Sequence, residues 1–171
     1  LIHDKYMFNK KKINSTLKFL DYIKKKKLVK KIGLSVYNRK ELDKNLQLFD
    51  FNIIQLPINL FNQSFLKDGY LKSISEKYEI FARSIFLQGL LLQDINNLNE
   101  YFLKYEDIFI KYHKFLKFND LSPLEACISF LCSVNINLNV IFGVNNANHI
   151  KLIAKTLNNI ENKKIKNIDF S

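Results

Sequence analysis

The residues of this chain that could do chemistry are a few polar side chains set at the ends of apolar runs. Ser35 closes the run Lys31-Ile32-Gly33-Leu34-Ser35. Asn38-Arg39-Lys40-Glu41 follows at once and reads as a helix start, with Asn38 as cap and Glu41 three residues on. A short buried strand that ends in a polar residue and runs into a helix is half of a βα unit. Ligands of parallel α/β folds bind at the carboxyl ends of such strands. Gln55 lies in the next apolar run, Asn52 to Leu56, and Arg83 near the end of a third, Ile80 to Ser84. His3 ends the opening run Leu1-Ile2-His3-Asp4. Later, Gly143-Val144-Asn145-Asn146-Ala147-Asn148-His149 leads into the last helical pattern, whose first N–H groups make a ready anion site. Three of them have a plainer explanation. A lone His near a chain end is most simply solvated. Gln55 could be a strand residue satisfied by backbone, and Arg83 half of a structural ion pair.

The elements that must position these residues follow from periodicity. Leu1 to Asp4 reads as the tail of a strand. Ile13, Leu17, Leu20 and Ile23 repeat at helical spacing, with Asn14 or Ser15 as cap. Strand Ile32 to Ser35 comes next, then a helix through Leu42, Leu46 and Phe49, then strand Asn52 to Leu56, ended by Pro57. Leu71, Ile74 and Tyr78 mark a helix before strand Ile80 to Ser84. Leu98, Phe102, Tyr105, Phe109, Tyr112 and Leu116 form one long amphipathic stripe, which is core packing rather than a cofactor site. Ser122-Pro123-Leu124-Glu125 carries a full set of helix-start signals, and Leu124, Cys127, Ile128 and Leu131 form the buried face. Strand Asn139 to Phe142 and a helix through Ile150, Ile153, Leu157 and Ile160 complete the order. A mostly polar tail, residues 163–171, follows; Ile165, Ile168 and Phe170 could tether it.

With 171 residues, of which 47% are apolar, the chain has enough material for one domain with a sizeable core. No apolar run approaches the ~18–20 residues of a membrane helix, and the opening residues do not form a signal peptide. A cytoplasmic protein is expected. The chain opens without Met, inside a strand, as a piece of a longer protein would. The net charge is +11, from 27 Lys+Arg against 16 Asp+Glu. A polyanion partner, nucleic acid or anionic lipid, would account for it. But the lysines gather at helix ends and loops, with no aromatics interleaved. Solvated helix faces account for the charge better, so neither a nucleic-acid nor a membrane partner is expected. Cys127 and Cys132, five residues apart on a helical pattern, point in different directions and fit neither zinc nor a redox pair. They read as two buried, reduced thiols, and no metal site is expected.

Lys31 to Asn38, then Ile53-Ile54-Gln55-Leu56-Pro57, then Ala82-Arg83-Ser84-Ile85-Phe86-Leu87-Gln88-Gly89-Leu90-Leu91 stand in one order and spacing. In this the chain resembles the aldo-keto reductases, whose pattern is roughly K-I-G-V-S-N-F, V-Q-x-x-Y-N, then L-x-x-G-L-L. The resemblance covers nearly the whole chain. It implies an α/β fold, part of a (β/α)8 TIM barrel from strand four to strand eight, with roughly three to four N-terminal βα units elsewhere. Residues 1–162 would be this C-terminal half and residues 163–171 a basic tail. The resemblance further implies that His3 orients and polarises a substrate carbonyl. Ser35 and Gln55 would hydrogen-bond the nicotinamide carboxamide, although Val36 stands where an Asn often adds a contact. Arg83 takes the place of a Tyr that stacks on the nicotinamide ring; a guanidinium also stacks, or pairs with a phosphate or carboxylate. Gln88 and Gly89 match the loop over the pyrophosphate, where Gly permits close approach, and Ser84 stands among the cofactor-binding residues. Gly143, Asn145 and His149 match the segment for the adenosine half. The cofactor would be NADP or NAD. Because Asn145, Asn146 and His149 replace the usual Lys or Arg, a strong NADP preference is not expected.

The family's Asp, its proton-donating Tyr and the Lys that tunes that Tyr all precede strand four; Tyr6 and Tyr37 do not stand in that motif. Two functions of different class therefore compete. One is the C-terminal half of an NAD(P)H-dependent oxidoreductase that reduces aldehydes or ketones, including sugar-derived ones. The other is a non-catalytic nicotinamide-binding or partner subunit of the same family. A basic nucleic-acid-binding module is the third, separable by salt-dependent retention on DNA. The expected partners are a small carbonyl substrate and the N-terminal half of the same protein.

Overall fold

The short apolar runs pair side by side, with helical segments between them, and the run ending in Ser35 leads at once into a helix capped by Asn38. The computed structural model describes residues 1–3, 8 and 11–163. The elements are α1 (Ile13–Lys25), β1 (Gly33–Ser35), α2 (Arg39–Leu46), β2 (Ile53–Pro57), α3 (Tyr70–Ser75), β3 (Glu79–Arg83), α4 (Glu106–Phe118), α5 (Pro123–Ser133), β4 (Leu138–Val140) and α6 (Ala147–Lys163). The sheet runs β1-β2-β3-β4, with every pairing parallel. A strand–helix alternation with parallel pairing is an α/β fold. Ile2 extends the sheet past β1 by a parallel bridge to Leu34.

Contacts divide the chain into two compact units. The first comprises Leu1–Ile58, Asn62–Arg83 and Ile136–Ile141; the second comprises Asn59–Phe61, Ser84–Asn135 and Phe142–Ser171. In the first, the register puts Leu34, Ile54 and Ile80 in one row, with Leu56 beside Ala82. All five are buried, as are Leu20, Leu42, Phe51 and Leu71. The alternate residues, Ser35, Gln55, Phe81 and Asn139, make the row on the opposite face. In the second unit Phe61 meets Phe109 and Tyr112 edge-on, at 5.4 Å in each case. Ile128, Ile153 and Ile160 form a further cluster with Phe86, Leu124 and Val144.

Several expectations change. Helix α1 is capped by the backbone of Lys12 without a side-chain bond, not by Asn14 or Ser15; Ser15 Oγ donates instead to the Lys12 carbonyl. The long stripe from Leu98 to Leu116 is not one helix. Residues 87–105 hold three 3-10 segments, and only Glu106–Phe118 is α-helical. Asp94 and Asn99 side chains accept backbone N–H groups there and start new turns. Cys132 is exposed, and only Cys127 is buried. Leu124 is half-buried, and Ile150 and Leu157 face solvent on α6. The lysines do meet aromatic rings of their own chain, Lys24 over Phe49 and Lys104 over Tyr101 and Tyr105. Apart from Lys163, which ends α6, the expected tail of residues 163–171 lies outside the described residues, and so does Tyr6.

Candidate active site

In the first unit the sheet register lines up the polar residues. Ser35 pairs with Gln55. The bridge at Ile2 places His3, the next residue, beside this row, and His3 is exposed. Gly33 makes the close pairing of β1 and β2 possible. A Cβ there would stand 2.8 Å from Ile53 Cβ and 2.9 Å from the Ile53 carbonyl, and would meet the Leu1 side chain. The turn after Ser35 is held twice. Asn38 Oδ1 accepts from Glu41 N at 2.9 Å, and Glu41 Oε2 accepts from Tyr37 N at 2.9 Å. The cap is therefore shifted by one residue from a standard capping box, and it fixes Val36 and Tyr37 as the exit from β1.

Ser35 and Gln55 are 6% and 5% exposed. Gln55 Oε1 is buried with no hydrogen-bond partner. Such an atom costs about 1–3 kcal/mol unless something donates to it. A ligand amide N–H fits that need, so this pair suits a carboxamide. Two residues farther along β3 on the same face, Arg83 lays its guanidinium over the Tyr37 ring, 4.4 Å from the centroid. Its Nη2 donates to the Val36 carbonyl at 3.1 Å. The structural role weighed for Arg83 thus takes the form of a ring stack and a carbonyl contact. Tyr37, two-thirds exposed, and this carbonyl were not singled out from sequence; an aromatic two residues past a strand-end Ser was the available signal.

In the second unit, Ser84, Leu87 and Gln88 all have positive φ, at 58°, 47° and 57°, and Gly89 follows at 88°. Left-handed conformations at three non-glycine residues cost energy and cluster at functional loops. Leu87 N donates to the Ser84 carbonyl and Gly89 N to the Phe86 carbonyl, both at 2.9 Å. Asn59, also unforeseen, braces the loop by donating from Nδ2 to the Ser84 carbonyl at 3.0 Å. Gln88 is exposed. Gly143 and Asn145, ahead of α6, and His149, in its first turn, are all exposed. Asn146 Oδ1 accepts from His149 N at 3.1 Å, so Asn146 caps the helix and its amide lies 3.4 Å from His149 Nε2. Gly143 has neither positive φ nor any atom within 4 Å of a Cβ, so its conformation does not demand glycine.

The family model for the aldo/keto reductase family matches residues 1–170. This chain belongs to that family. Among solved structures it is similar to a thermostable aldo-keto reductase crystallised with the inhibitor epalrestat. Identity is 15%, the TM-score is 0.58, and the match covers 85% of this chain and 49% of the other. It is also similar to the glycerol dehydrogenase from Gluconobacter oxydans, at 16% identity and a TM-score of 0.51, over 86% and 54% of the two chains. At these identities the likeness shows the fold, that of a partial (β/α)8 barrel. The chain spans about half the length of these structures. No curated protein matches it.

Elsewhere in this aldo-keto reductase chain, Tyr112 donates to the Leu91 carbonyl at 3.1 Å. Burial pushes the Cys127 thiol up to about 12, with the Tyr112 hydroxyl bond pulling the other way. Burial and the neighbouring Cys127 raise the Tyr112 hydroxyl well above its ordinary range. Both are neutral packing groups rather than a nucleophile and its base. Among the described residues no three His, Cys, Asp or Glu side chains gather as metal ligands would. No described helix is long and apolar enough to cross a membrane.

Proposed function

We propose that this chain is the C-terminal half, from about strand four, of an aldo-keto reductase that reduces aldehydes or ketones to alcohols with a nicotinamide cofactor, NADP or NAD. The observation that carries the proposal is the Ser35–Gln55 pair at the carboxyl side of a parallel sheet, with Gln55 Oε1 buried and lacking a donor. A bound nicotinamide supplies the hydride. Ser35 and Gln55 would hold its carboxamide, with Gln55 Oε1 accepting from the amide N–H. His3, beside them, orients the carbonyl by hydrogen bonding. By resemblance to the family, Gln88 and Gly89 belong to the loop that passes over the pyrophosphate, Gly143, Asn145 and His149 to the segment that takes the adenosine half, and Ser84 to the cofactor-binding residues. The proton donor comes from the N-terminal half, the expected partner. A small carbonyl compound, sugar-derived ones included, is the substrate class, and the cell compartment is the cytoplasm.

The test is NADH and NADPH oxidation by the whole protein with a panel of aldehydes. Turnover with either cofactor supports the proposal. Cofactor binding without turnover on any aldehyde would favour a non-catalytic subunit. With no Lys or Arg from Gly143 to His149, the 2′-phosphate gains no charge-assisted bond from this segment. NADH should therefore serve at least comparably to NADPH. A preference of about a hundredfold for NADPH, nearly 3 kcal/mol, would contradict that expectation.

A further inference from the structure

The side chain at the end of β3 is not a lone cation. The Arg83 guanidinium lies 4.4 Å from the centre of the Tyr37 ring, and Nη2 is pinned to the Val36 carbonyl at 3.1 Å. Ring and carbonyl both come from the exit of β1, and Glu41 fixes that exit by accepting from Tyr37 N. The position of the guanidinium is thus held by an aromatic ring on one side and by a backbone oxygen. Arg83 lies on the same sheet face as Gln55, one alternation along, since Pro57 pairs with Arg83 and Gln55 with Phe81. We propose that Tyr37 is a positioning residue of the nicotinamide site. It holds Arg83 flat so that the guanidinium, rather than an aromatic ring, backs the nicotinamide whose carboxamide Ser35 and Gln55 take. Guanidinium groups stack on aromatic planes, and a stack set in advance loses less freedom on binding. The inference rests on the nicotinamide reading of the Ser35–Gln55 pair. It adds a residue and a mode of stacking to that reading.

The experiment compares NADH with ADP-ribose, which lacks the nicotinamide ring, by titration against the whole protein and its Tyr37→Leu and Tyr37→Phe variants. Wild type should bind NADH more tightly than ADP-ribose. Tyr37→Leu should weaken NADH about two- to fivefold, the size of a partly exposed cation–π contact, and leave ADP-ribose unchanged. Tyr37→Phe keeps the ring and should restore wild-type affinity. A general loss of structure would weaken both ligands alike, and would overturn the positioning role. So would equal NADH affinity in wild type and Tyr37→Leu. If the wild type itself binds ADP-ribose as tightly as NADH, the nicotinamide site fails first, and the positioning role fails with it.

Discussion

Gln55 is where burial and chemistry disagree most sharply. Its amide is buried beside Ser35, and its Oε1 has no donor. A protein keeps such an atom at a cost of about 1–3 kcal/mol when a ligand satisfies it. Replacing it by Met, similar in shape but without the oxygen, should separate the two effects. Gln55→Met is expected to leave the ligand-free protein as stable or more stable, while nicotinamide cofactor affinity falls about two- to tenfold, the net worth of one neutral hydrogen bond. Calorimetric melting and fluorescence quenching read the two quantities; a lower melting point with unchanged affinity would make Gln55 purely structural. The Cys127–Tyr112 pair supports a different prediction. Both groups are neutral in the fold, and Cys127 is raised from 9.0 to about 12. The unfolded chain loses these protons at lower pH. Their contribution to stability is therefore complete below about pH 9 and is lost as pH rises toward 12. Urea unfolding between pH 8 and 11 should show stability falling with pH, and Cys127→Ala should flatten that fall. An identical slope in the variant would mean that the thiol does not titrate this way.

At the scale of elements, legibility followed how local the determining physics was. The start of helix α5 was readable to the residue because Ser122, Pro123 and Glu125 carry the cap, the first-turn proline and the capping-box partner within four residues. The strands were readable because each is a short apolar run, and their parallel order follows from the helices between them. The segment from Leu87 to Tyr105 was not. Its apolar spacing fits a helix, but Asp94 and Asn99 take backbone N–H groups with their side chains and restart the turn each time. Positive φ at Ser84, Leu87 and Gln88 has no local sequence signal either, because only Gly89 announces it. Register sets the site's geometry, and Gly33 permits the close approach of β1 and β2. Its Cβ space is taken by the side chain and carbonyl of Ile53. Gly33→Ala should therefore push β1 from β2 and cost about 1–3 kcal/mol, a drop of roughly 2–10 °C in melting temperature. Gly143→Ala, where nothing lies within 4 Å, should leave the melting temperature unchanged. Equal melting of the two variants would show that the β1–β2 spacing yields more readily than the contacts imply.

At the scale of the molecule, the sheet has two faces of different character. The row of Leu34, Ile54 and Ile80 is buried. The opposite face carries Ser35, Gln55 and Arg83, with His3 beside Ser35; a closed barrel would turn one such face to its interior. β4 is the last strand of the described sheet, and Val140, Ile141 and Phe142 are all more than a third exposed there. Leu1, at the other side, is half exposed. Strand edges beside apolar side chains pair readily with other chains. Residues 1–171 expressed alone should accordingly self-associate. On the proposed reading, in which the proton donor comes from the N-terminal half, they should also bind nicotinamide cofactor weakly and fail to reduce carbonyls, since a forming alkoxide would have no placed proton donor. Supplying the N-terminal half, fused or as a second chain, should give a monodisperse barrel and restore turnover. Sedimentation and an aldehyde-dependent NADH and NADPH oxidation assay, run on the 171-residue chain with and without that half, decide the matter. A monomeric 171-residue chain that turns over aldehydes at ordinary enzyme rates, about 1–10³ per second, would overturn both the division of the barrel and the assignment of its proton donor.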